Sequence, residues 1–157
     1  MSTGKEIEIV VGKTLKLRNV VSKEIGQLDY NEMQKTMHMF SSYMRSKRLT
    51  PYGPTITHAR VSFENGRLIQ RSRIMVQVRE IPERTEAPYS FDESIRVENC
   101  VMARYRGDAV SVQMAHGKIN VFAFENDIRL KGDTYTVFVE QTPDGTILAD
   151  VFAEIDT

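Results

Sequence analysis

Three histidines, one cysteine and a scatter of carboxylates are the residues whose types could do chemistry. No two of His38, His58 and His116 stand at i, i+4 spacing, and Cys100 is the only thiol. That pattern lacks the paired ligands of a zinc site and excludes an intrachain disulfide. His38 lies in the methionine-rich run MQKTMHMF and reads as a surface or boundary residue. His116 precedes Gly117 and reads as a polar-face residue, and Cys100, inside RVENCVMARY, reads as a buried structural thiol rather than a nucleophile. The best carboxylates for acid–base work are Glu140, Asp150 and Glu154. The last two share a strand face, where a solvated hairpin accounts for them equally well. GKTLKL lacks the spaced glycine of a phosphate loop, and no Gly-x-Ser-x-Gly elbow occurs. No cofactor is implied.

Charge narrows the partners. Lys+Arg and Asp+Glu number 21 each, so the chain has no basic footprint for nucleic acid. Arg45, Lys47 and Arg48 read as a solvated helix end, and Arg67, Arg71, Arg73 and Arg79 lie on strands interrupted by acids. The N-terminal MSTGKEIEIVVGK is too polar for a signal peptide. No run approaches the roughly 20 apolar residues of a membrane span. The expectation is a cytoplasmic protein, monomer or homodimer, without nucleic-acid or membrane partners.

These residues need a frame to position them. Asn65-Gly66 and Asp144-Gly145 both favour the positive φ of tight hairpin turns, and they stand 79 residues apart. Alternating apolar residues flank each turn, among them Ile56, Ile69, Ile74 and Val76 in the first copy. Tyr135, Val137, Val139, Ile147 and Val151 flank the second. The first arm is weaker, because His58 and Arg60 fall where Val137 and Val139 stand. Upstream, LKLRNVVSKEIG (15–26) matches IRVENCVMARYRG (95–107) at a spacing of 80. Between strand and hairpin each copy has room for a helix. Asp29 with Glu32 has capping-box spacing, and Met33, Met37, Phe40 and Met44 form one stripe ended by Pro51 and Gly53-Pro54. In the second copy SVQMAHGKINVFAFENDIRLKG leans to strand by propensity. The repeat predicts a helix there, with Met114, Ala115, Ile119, Val121, Phe122 and Asn126 on its packed face. The reading is one α+β domain over 1–157, a duplicated β-α-β-β unit with halves near 5–80 and 92–157 and a linker at 81–91. A pseudo-two-fold antiparallel sheet would carry both helices on one face, since one unit alone buries too little.

A doubled β-α-β-β unit carrying the strand VENCVMARYRG and the pair YTVFVEQTPDGTILADVFAEI resembles the gyrase-inhibitor-like small-molecule-binding superfamily. Its members include effector-binding domains of multidrug-responsive regulators. The resemblance implies a cleft between the halves, walled by helices and floored by the sheet, that takes amphipathic or cationic small molecules. Two departures stand out. Gly26-Gln27-Leu28-Asp29-Tyr30 lacks the proline of the family's helix entry, and Thr136, in Tyr135-Thr136-Val137-Phe138, stands where the family's ligand-facing carboxylate falls. No helix-turn-helix sequence accompanies the unit.

Three readings stay open. The first is a standalone small-molecule-binding protein with Glu140 as polar anchor and Tyr30, Met37, Phe40, Tyr105, Phe122, Tyr135 and Thr136 around the cleft. The second is a non-enzymatic interaction module, its cleft filled, binding a partner protein through a sheet edge or helix face. The third is a small hydrolase using Glu140 and Tyr105. The methionines suit either a promiscuous pocket or an ordinary core.

Overall fold

The computed structural model describes residues 6–26 and 30–156. Their order is β1 (Glu6–Ile25), α1 (Tyr30–Ser46), β2 (Pro51–Glu64), β3 (Arg67–Val78), β4 (Tyr89–Asp108), a 3₁₀ turn (Ala109–Ser111), α2 (Gln113–Glu125), β5 (Leu130–Gln141) and β6 (Thr146–Ile155). β4 thus begins inside the stretch expected to be linker. The Asp29 cap lies outside the described residues. All strand pairs are antiparallel, and the order β1-β3-β2-β5-β6-β4 closes into a barrel because β4 also pairs with β1 along most of its length.

Alternation gives each strand two faces. On the inner face Leu15, Leu17, Val20, Ile56, Met75, Val97, Cys100 and Tyr135 form one buried cluster, with Phe152 against it. Both helices pack on the outer face. Phe40 and Met44 of α1 bury against Val21, Ile74, Val76 and Val78, with Met33 and Met37 half-buried beside them. Ala115 and Ile119 of α2 bury against Val101, Ala103, Tyr105, Val151 and Ala153. A fully buried side chain such as Phe40 or Ile119 contributes roughly 1.5–3 kcal/mol.

The predicted α2 forms, with a different face inward. Ala115, Ile119 and Ala123 are its buried residues, at i, i+4 and i+8. Met114 and Val121 are instead exposed, as are Val110 and Phe124, and Asn126 is the C-cap. With apolar residues on two faces, the helix carries almost no amphipathic signal. Both helices stop the same way. The Leu49 N–H reaches the Met44 carbonyl at 2.9 Å, and the Ile128 N–H reaches the Ala123 carbonyl at 2.8 Å. Between them Arg48 (φ 58°) and Asp127 (φ 54°) take the left-handed conformation of a C-terminal cap.

The turns differ. Asn65 and Gly66 both have positive φ, as a two-residue hairpin requires. In the second hairpin only Gly145 does, and the Asp144 carboxylate instead accepts from the Thr146 N–H at 3.0 Å and from the Thr142 hydroxyl. The Cys100 Sγ lies 3.6 Å from the Val97 carbonyl, and burial pushes its thiol up to about 11, far from a reactive thiolate. Among the described residues no helix is long and apolar enough to cross a membrane.

Candidate functional site

The central strands β3, β2 and β5 carry two different surfaces. Their register aligns Ile74, Thr57 and Thr136 on the outer face, and Arg73, His58 and Tyr135 on the inner face one pair along. The β2–β5 pairing runs from Ile56–Val137 to Arg60–Asp133.

On the outer face, α2 overhangs β2 and β5 and leaves a cleft of about 400 Å³. Gln113, His116 and Asn120 line one side, at the i, i+3, i+7 spacing of a single helix face. Ala59, Val61, Gln70, Asp133, Thr134 and Ala153 line it from the strands, with Leu130 and Gly132 at the end. The His116 Nε2 is 3.5 Å from the Thr136 Oγ1, and burial pushes its imidazole down, toward the neutral form. Gly132 is required where it stands. Its φ is +101°, and a Cβ there would sit 2.9 Å from the Val61 carbonyl oxygen.

The inner face holds a connected polar chain. The Arg73 Nε donates to the His58 Nδ1 at 2.9 Å. The other ring nitrogen, Nε2, must then carry the proton, and it donates to the Asp133 carboxylate at 2.7 Å. Arg60 reaches the same carboxylate through Nε at 3.1 Å and Nη2 at 3.4 Å. The His58 ring stacks on Tyr135, centroids 4.1 Å apart and planes within 5°. Burial pushes the His58 imidazole down, which the Asp133 hydrogen bond opposes and the Arg73 charge reinforces. For Asp133, burial alone would raise the carboxyl, but hydrogen bonds from His58 and Arg60 outweigh it and hold the group below the usual aspartate range. The chain has the Asp–His pair of a catalytic triad, yet a guanidinium N–H occupies the ring nitrogen a nucleophile would use, so His58 cannot act there as a base.

The residues singled out by sequence are dispersed. Tyr135 is on the inner face and lines the cleft there, while Thr136 is on the outer face beneath His116. Phe40 is fully buried, edge-to-face with Tyr89 at 5.7 Å, and Met37 packs beside it. Tyr105 is fully buried and its hydroxyl donates to the Asp108 carbonyl at 2.6 Å. Phe122 packs against the α2 cluster. Tyr30 opens α1, and its side chain lies outside those described. Glu140 is exposed, and the β5–β6 register shifts between Phe138 and Glu140. Asp150 makes a two-point ion pair with Arg104 at 2.8 and 2.9 Å, and Glu154 pairs with Lys131 at 3.0 Å. Both of those carboxylates are therefore committed to cations.

Sequence reasoning missed Asp133, Arg60 and Arg73 as partners of His58. The available signal was the pair His58 and Arg60 at strand positions where apolar residues were expected. The polar face of α2 was missed too, because its three members are uncharged and not contiguous.

No protein-family model and no curated protein sequence matches the chain. Solved structures do. EcmrR in its complex with DNA matches 99% of this chain at TM-score 0.72 and 13% identity, the match spanning 59% of EcmrR. The EcmrR C-terminal domain alone matches at TM-score 0.70 and 12% identity over 98% of both chains. A hydrolase encoded by lin2189 from Listeria innocua matches at TM-score 0.58 and 9% identity, over 96% of this chain and 92% of that one. SAV2435 bound to tetraphenylphosphonium matches at TM-score 0.50 and 8% identity, over 96% and 94%. The chain therefore shares the fold of the EcmrR C-terminal domain.

Proposed function

We propose that this chain binds a small amphipathic molecule in the cleft between α2 and the outer face of β2 and β5. The carrying observation is the lining of that cleft. Alanine, valine and leucine surfaces face a wall of Gln113, His116 and Asn120 across about 400 Å³, the size and mixture expected of a small-molecule site. The fold of the EcmrR C-terminal domain, and of SAV2435, whose structure holds tetraphenylphosphonium, supports the reading. The residues in and just beneath the lining also argue about charge. Thr136 replaces the carboxylate that would offset desolvation of a lipophilic cation, and the Asp133 carboxylate is already held by His58 and Arg60. The preferred ligand is therefore neutral, read by the amide and imidazole groups.

A thermal-shift screen of neutral amphiphiles, dyes and tetraphenylphosphonium tests this. A neutral hit at a hundredfold excess over its Kd adds about 2.7 kcal/mol of stability. Asn120→Trp, on an exposed helix position, fills the cleft and removes the shift. Hits confined to lipophilic cations would overturn the neutral-ligand reading. No shift with any compound would favour the competing reading, a protein partner on the exposed face of α2.

The duplicated unit is part of the same proposal, because two copies create the seam the cleft occupies. Positive-φ positions support it. Asn19 and Asn99 stand 80 residues apart, while Arg48 and Asp127, Gly53 and Gly132, and Gly66 and Gly145 each stand 79 apart. Each pair falls at the corresponding place in its strand, helix end or turn. Separately expressed halves 1–80 and 81–157 should each be unfolded by circular dichroism and gain structure on mixing. A half that folds alone would contradict the shared core.

A further inference from the structure

The inner face has its own cleft, about 390 Å³, lined by Glu24, His58, Arg60, Arg71, Arg73 and Tyr135. It lies on the opposite side of the sheet from the α2 cleft, because His58 and Arg60 alternate with Ala59 and Val61 along β2. Its character is different. Three arginines meet there, Arg71 directly across from Arg60 and Arg73 directly across from His58. Like charges set opposite one another in a sheet destabilise it unless something neutralises them.

The protein supplies part of that neutralisation and leaves donors over. Arg60 is spent on Asp133 through two of its nitrogens. Arg73 is fixed at its Nε end by His58, and its Nη1 lies 3.9 Å from the Asp92 carboxylate, beyond hydrogen-bond range. Arg71 is mostly exposed and touches Glu64 only at 3.4 Å. Glu24 stands opposite Arg73 in the β1–β3 ladder and is the one carboxylate lining this cleft, since Asp133, though bonded to His58 and Arg60, lines the α2 cleft. Ser22, the next residue inward on that face of β1, is 1% exposed and carries the one buried side-chain oxygen without a partner among the described residues. A guanidinium presents planar, paired donors that match a carboxylate or phosphate edge.

We infer that this inner cleft is a second binding site, for a small anion bearing a carboxylate or phosphate group, held by Arg71 and Arg73 with the His58–Asp133 pair locking Arg73 in place. The site opens on the opposite face of the sheet from the α2 cleft, and the two share only Asp133, which lines the α2 cleft and holds His58 from behind. Isothermal titration calorimetry with inorganic phosphate and with benzoate, at ionic strength fixed by chloride, tests it. At least one probe should bind saturably. Arg73→Gln should weaken binding at least tenfold and Arg71→Gln several-fold. Arg71 is exposed, so that variant keeps the test open where Arg73→Gln fails to fold. Asn120→Trp should leave anion binding unchanged. Preference for benzoate over phosphate, or the reverse, identifies the group recognised. Absence of saturable heat for both probes, or binding indifferent to Arg71→Gln and Arg73→Gln, overturns the inference. Binding removed by Asn120→Trp alone would also overturn it, by placing the anion in the α2 cleft.

Discussion

His58 is neutral because its neighbours leave it no other state. Arg73 donates to one ring nitrogen and Asp133 accepts from the other. A second proton on the ring would set two donors face to face at Nδ1. Its pKa is lowered from 6.5, and that of His116 is lowered as well. The unfolded chain therefore binds protons that the folded chain does not. Stability from these groups is present above pH 6.5 and is lost as pH falls through that value toward the depressed native pKa values. Asp133, lowered from 3.8, adds a loss of the same sign at more acid pH. His58→Gln should cost about 1–3 kcal/mol at neutral pH, since it leaves buried partners unsatisfied. The variant should also show a shallower fall of thermal midpoint between pH 7 and 5 (roughly the window of histidine titration). An unchanged slope would show that His58 is not the titrating group.

At the scale of elements, the left-handed residues decide where strands bend and helices stop. Gly132 is the tightest of them. Gly132→Ala meets both an unfavourable φ and the Val61 carbonyl, so it should destabilise by more than about 1 kcal/mol in urea unfolding. Gly117→Ala, where a Cβ meets nothing within 4 Å, should instead stabilise α2 by up to about 1 kcal/mol. Equal effects at the two positions would contradict the assigned backbone.

Much of this level was legible in the chain. The Met33–Met44 stripe and Asn65-Gly66 announce their elements through local pattern, and the repeat spacing placed α2 against its own strand propensity. What local pattern does not encode is non-local pairing. The β1–β4 ladder that closes the barrel, and the β2–β5 register that sets Asp133 opposite Arg60, join residues distant in sequence. The inner polar chain therefore appeared in the sequence only as an interruption of an apolar arm. Nor does local pattern foretell the register shift between Phe138 and Glu140.

For the whole molecule, a closed antiparallel sheet separates two environments. The outer one is shared by both helices and holds the α2 cleft, whose one carboxylate, Asp133, is already paired with Arg60, while the inner one is apolar at its centre and arginine-rich beside it. Ligands of different charge should thus reach different sides of the same strands. The most direct test of the central claim is an amide NMR titration with a neutral amphiphile such as Nile red. The account predicts saturable shifts concentrated at Gln113, His116 and Asn120 of α2 and at Ala59 and Thr134 beneath them, absent in Asn120→Trp. Saturable shifts centred on Arg71, Arg73 and Glu24 instead, or none in either region, would contradict it.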